Sequence, residues 1–115
     1  MQNLEVHIDS HPEGRTRVTL KGPLDAHSSK TLRDTLDSLI QGGCRKMALD
    51  LSGVDYVAST GAMLIITLSR RLEEEKGKLV LVQPKSQVMV IFTLLGLIDL
   101  LTFVPTPEEA LEKLK

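Results

Sequence analysis

Apolar and polar residues alternate over Leu4-Glu5-Val6-His7-Ile8, the period of a strand with one buried face. His11-Pro12-Glu13-Gly14 is turn chemistry, after which Val18 and Leu20 alternate with Arg17 and Thr19. A connection this short predicts an antiparallel hairpin. Lys21-Gly22-Pro23 ends the second strand, because proline has no N–H to give a ladder. The period then changes. Leu32, Leu36, Leu39 and Ile40 recur at helical spacing, with Gly42-Gly43 as a stop. Met47 to Leu51 reads as a third strand, and a helix follows from Ser59 to about Lys76, with Gly77 expected just past its end. Leu79 to Val82 is apolar without alternation, the mark of a strand buried on both faces. Pro84 interrupts the chain. Val88, Ile91, Phe92 and Leu95 give another helical face, with Gly96 fitting its C′ position and Leu97 the hydrophobic contact beyond it. Leu100 to Val104 predicts a last, edge strand. Thr106-Pro107-Glu108-Glu109 is a capping box with proline at the first helical position, opening a helix docked by Ala110, Leu111 and Leu114.

The order β-β-α-β-α-β-α-β-α predicts one α/β domain over residues 1–115. Strands joined by helices should pair in parallel with right-handed crossovers. The expected sheet is therefore mixed and mostly parallel, with an N-terminal antiparallel hairpin, packed by about four helices. No repeat, low-complexity stretch or linker divides the chain. With 115 residues, 42% of them apolar, a core can form without staples. It must be aliphatic, since there is no tryptophan, one tyrosine and two phenylalanines.

Charge and composition narrow the chemistry. A net charge of −1 with no basic cluster argues against a nucleic-acid partner. The single Cys44 excludes an internal disulfide. Met1 to Ser10 lacks the continuous apolar region of a secretion signal, and no apolar run reaches the roughly 18 residues of a membrane helix. The expected location is the cytoplasm, away from the membrane. His7, His11 and His27 are scattered, without carboxylates or cysteine at metal spacing, so no metal site is expected. The glycine pairs match neither a phosphate-binding loop nor a dinucleotide fingerprint, and Ser59 lacks the G-x-S-x-G context of a nucleophile elbow. Neither an enzyme nor a cofactor is expected.

The most informative block is Asp50-Leu51-Ser52-Gly53-Val54-Asp55-Tyr56-Val57-Ala58-Ser59-Thr60-Gly61. A strand ends, a short loop follows, and two hydroxyls precede a glycine and a long helix. Ser59 and Thr60 are thus expected at the N-cap, on an exposed corner. The block resembles the signature D-L-S-x-[LV]-x-[YF]-[MIV]-D-S-[ST]-G of STAS domains in bacterial anti-sigma-factor antagonists. Leu20-Lys21-Gly22-Pro23-Leu24-Asp25 and Leu95-Gly96-Leu97-Ile98-Asp99-Leu100 resemble two weaker motifs of the same family, so the likeness spans nearly the whole chain.

The resemblance implies an antagonist in a partner-switching pathway. Its partners would be an anti-sigma factor that is also a serine/threonine kinase, and a serine phosphatase that reverses the modification. By alignment to the motif, Ser59 takes the phosphoacceptor place, with Thr60 as the rival hydroxyl. Asp25 would lie near the serine corner and help partner recognition; a capping aspartate is the equally good alternative. On a helix, Gly61, Leu64, Ile65, Leu68 and Leu72 should face the sheet, while Ser59, Met63, Ile66 and Arg70 line the opposite side. Two readings stand for Met63 and Ile66: covered by another element, or forming a docking patch continuous with Ser59, Thr60 and Gly61. One departure is clear. The family places Asp before the phosphoserine, and here that residue is Ala58. This substitution favours the alternative of a non-phosphorylated scaffold or interaction subunit of a signalling or transport complex. Asp55 is the nearest other carboxylate in the block.

Overall fold

A computed structural model describes residues 3–115 of the chain. Strands β1 (Glu5–His11) and β2 (Arg15–Lys21) form the antiparallel hairpin, joined through a 3-10 turn at Pro12–Gly14. Strands β3 (Lys46–Gly53), β4 (Lys78–Val82) and β5 (Phe103–Val104) follow in parallel, giving a five-stranded sheet in the order β1-β2-β3-β4-β5. Helices α1 (Ala26–Gln41), α2 (Ser59–Glu74) and α3 (Ser86–Leu94) are the crossovers, and α4 (Pro107–Lys113) ends the fold.

Strand alternation divides the core in two. Val18, Leu20, Met47, Leu49, Leu51, Leu79 and Leu81 meet α1 through Leu32, Leu36 and Ile40, α2 through Ile65, Leu68 and Leu72, and α3 through Val88 and Phe92. The intervening residues Ala48, Val80 and Val82 point to the other face, where Val104, Ala110 and Leu114 complete a smaller cluster under α4. The apolar run of β4 is thus two half-faces serving two cores. Each fully buried aliphatic side chain contributes about 1.5–3 kcal/mol. Among the described residues, no helix is long and apolar enough to cross a membrane.

Three expectations need correction. The last strand is only Phe103–Val104, because Ile98–Leu100 winds into a 3-10 turn. Ile8 stays 42% exposed, since it sits on the outermost strand. At the end of α2 the left-handed residue is Lys76 (φ 63°), not Gly77. The Lys76 N–H donates to the Glu73 carbonyl at 2.9 Å and the Gly77 N–H to the Leu72 carbonyl at 2.6 Å, which is a Schellman closure. Gly77 is needed for proximity instead: a Cβ there would lie 2.2 Å from the Arg45 carbonyl oxygen. Gly96 does occupy the left-handed position after α3 (φ 70°), with the Leu97 N–H donating to the Phe92 carbonyl at 2.9 Å.

Candidate functional site

The corner at residue 59 is built from the end of β3 upward. Thr19 of β2 lies opposite Asp50 and Lys21 opposite Gly53, so β3 carries one extra residue and bulges. Asp50 stabilises this turn. Its Oδ1 accepts from the Ser52 amide at 2.9 Å and the Ser52 hydroxyl at 2.7 Å, and its Oδ2 accepts from Arg17 Nη2 at 2.8 Å. Burial pushes the Asp50 pKa up, but the Ser52 hydroxyl, the Ser52 amide and Arg17 outweigh it, and the carboxyl is held below its ordinary 3.8. The acidic start of the motif is therefore structural.

The loop that follows buries Val54 and Val57 and leaves Asp55 and Tyr56 exposed. Val57 forms an isolated parallel bridge with Leu24. The Leu24 N–H donates to the Tyr56 carbonyl at 2.8 Å, and the Ala58 N–H to the Leu24 carbonyl at 2.9 Å. Leu24 precedes the N-cap of α1 and Val57 precedes the N-cap of α2, so the two helices begin side by side.

Their caps differ. Asp25 caps α1 in a reciprocal capping box: its carboxylate accepts from the Ser28 amide at 2.9 Å, and Ser28 Oγ accepts from the Asp25 N–H at 2.9 Å. The Ser28 amide, then the Ser28 hydroxyl, hold the Asp25 carboxyl below its ordinary 3.8. For α2 the expectation fails. The N-cap is Ala58 in extended conformation, with no side-chain cap bond. The bridge to Leu24 keeps the backbone extended through Ala58, so Ser59 and Thr60 fall inside the helix as its first two residues. Both are exposed. Helix geometry leaves their backbone N–H groups without a preceding carbonyl, while those of Gly61 and Ala62 both reach the Ala58 carbonyl, at 2.9 and 3.1 Å.

The remaining residues of the expected patch separate. Met63 is 49% exposed. Gly61 is buried, and a Cβ on it would meet Leu24 Cγ at 2.8 Å. Ile66 is only 5% exposed and belongs to the main core, so it does not extend the surface. It shares a flank of α2 with Ala62 and Ser69, all buried, on a helix that packs against α3 as well as α1. The reading of a single buried stripe toward the sheet missed this second contact. Asp55, the nearest carboxylate to the corner in sequence, is paired with Lys85 from the loop before α3. Tyr56, in the same loop, is 55% exposed.

On the other side of α2, Thr60, Met63 and Leu64 face Ser29, Lys30 and Arg33 of α1 across a groove of about 440 Å³. Among the described residues, no group of three or more His, Cys, Asp or Glu could hold a metal ion.

A family model described as the STAS domain matches residues 6–110. The anti-sigma F factor antagonist of Paenibacillus polymyxa is 25% identical over 114 residues, covering 98% of this chain and 97% of the relative. The anti-sigma factor antagonist SpoIIAA in its unphosphorylated form superposes with a TM-score of 0.81 at 23% identity, covering 95% of each chain. The Bacillus cell-fate determinant SpoIIAA in the phosphorylated form gives 0.75 at 21% identity, covering 96% of this chain and 100% of that one. Both forms share the fold described above.

Proposed function

The chain belongs to the STAS domain family, and on that premise we propose that it is an anti-sigma-factor antagonist in a partner-switching pathway, binding a serine-kinase anti-sigma factor and regulated by phosphorylation of Ser59. The observation that carries the reading is the exposed Ser59 hydroxyl in the first turn of α2, beside two open backbone amides and the exposed Met63. A helix N-terminus favours a phosphoryl group through its amides and its dipole, so the modification leaves the fold intact. Its charge of about −1.5 to −2 at neutral pH changes the surface a partner meets. SpoIIAA, a structural relative, holds the same fold with and without its phosphate.

In this reading the unmodified protein sequesters the anti-sigma factor in the cytoplasm. The kinase ends the interaction by phosphorylating Ser59, with Thr60 as the rival acceptor, and a serine phosphatase restores it. Asp25 stands at the neighbouring helix start and Met63 supplies apolar contact. ATP belongs to the kinase, and this chain acts as a binding module without catalysis of its own.

Ala58 favours a second reading, a scaffold that is never phosphorylated. The acidic neighbour the motif expects is missing, and Asp55 is paired with Lys85. Intact mass after incubation with the cognate anti-sigma kinase and ATP decides. The switch requires one added phosphate on wild type and none on Ser59→Ala. No phosphate on wild type, or the same phosphate on the variant, leaves the scaffold.

A further inference from the structure

We propose that the groove between α1 and α2 seats an acidic, apolar-tipped segment of the anti-sigma factor that docks at the Ser59 corner. The partner's identity rests on the functional reading above; the chemistry of the segment is read from the groove.

Its two walls differ in character. The α1 wall presents Lys30 and Arg33, one turn apart and exposed. Among the described residues neither enters an ion pair, and no carboxylate lines the groove. The α2 wall presents Met63, 49% exposed, and the half-buried Leu64. Ser29 lies between them, 7% exposed, with a hydroxyl that has no hydrogen-bond partner. The occupant that satisfies both walls brings a carboxylate to Lys30 and Arg33 and an apolar side chain to Met63 and Leu64. Methionine suits the second role because its side chain adapts to shape.

The sign of the switch selects the same occupant. Thr60 lines the groove and Ser59 is the residue before it, in the first turn of α2, so a phosphoryl group at 59 would add negative charge near the groove's end. That charge repels an acidic segment and would tighten a basic one. The exposed face of α3, around Met89, Val90 and Leu94, has no charged lining and selects no such partner.

The test uses the full chain and the cognate anti-sigma kinase with ADP. In titrations, the double variant Lys30→Glu/Arg33→Glu should bind about tenfold or more weakly, and its residual affinity should depend less on salt. In a methyl-labelled wild-type sample, the Met63 resonance should move on kinase addition while that of Met89 stays. Charge reversal that leaves affinity within about twofold, with wild type binding, overturns the groove and spares the functional reading. Movement of Met89 in place of Met63 does the same. Wild type failing to bind the kinase overturns both.

Discussion

Arg17 and Asp50 join β2 to β3 through a 2.8 Å hydrogen bond between guanidinium and carboxylate, and the Asp50 side chain is 3% exposed. The pair lies behind the motif rather than on its surface, on the face of the sheet that α4 only partly covers. It fixes the bulge from which the loop to Ser59 departs. The acidic start of that segment is therefore a matter of folding.

Removing this carboxylate destabilises the protein in a pH-dependent way. Asp50→Ala should cost roughly 2 kcal/mol at neutral pH, since Ser52 and Arg17 lose a charged partner. Asp50 titrates below its ordinary 3.8 in the folded chain. Its stabilisation is therefore complete above the unfolded value and lost as pH falls through the lower, folded one. Urea unfolding at pH 7 and near pH 3 checks this: the gap between wild type and variant should narrow in acid.

Met63 and Ile66 lie on nearby stripes of α2 yet should behave oppositely. Ile66→Ala empties a core position and should cost about 2–5 kcal/mol. Met63→Ala touches an exposed side chain and should stay within about 0.5 kcal/mol. Met63→Glu should fold with an unchanged thermal midpoint and lose kinase binding. Denaturation midpoints and a binding titration separate the three outcomes.

The two adjoining helix starts should respond unequally to loss of their polar side chains. Asp25→Ala breaks a two-way capping box and should lower the thermal midpoint. Ser59→Ala removes no cap bond and should leave stability within about 0.5 kcal/mol. Ser59→Asp adds a charge at a helix N-terminus, which should stabilise by about 0.3–1 kcal/mol while abolishing kinase binding. Calorimetry on the three variants measures the contrast.

At the far end of α2, Lys76→Gly should raise stability by about 1 kcal/mol, because a glycine tolerates the positive φ that lysine now adopts. Gly77→Ala should cost about 2–3 kcal/mol, its methyl forced against the Arg45 carbonyl. Urea midpoints of the pair show which of the two positions needs the glycine's conformation and which its size.

Periodicity made the order of strands and helices legible, along with the hairpin, the split between parallel and antiparallel pairing and the Gly96-Leu97 stop. Those features depend on local spacing. The errors arose where a distant segment decides. Ser59 is not a cap because Leu24, far earlier in the chain, bridges Val57 and accepts the Ala58 N–H, which holds Ala58 extended at the cap position. Ile66 is buried because α2 has a second helical neighbour, which a wheel drawn for a single apolar face cannot show. Gly77 reads as a stop signal in sequence, and only the approach of Arg45 reveals its purpose. Of the expected contact residues, Ser59, Thr60 and Met63 lie on the surface, Asp25 is the cap of α1, and Gly61 and Ile66 serve the interior.

The single bridge between Leu24 and Val57 splints two helix starts together. Under the proposed switch, a phosphoryl group at Ser59 would meet this splinted corner, and its influence would be delivered outward, to the approaching molecule. Resetting the proposed switch would call for chemistry at one oxygen atom and leave the scaffold where it was.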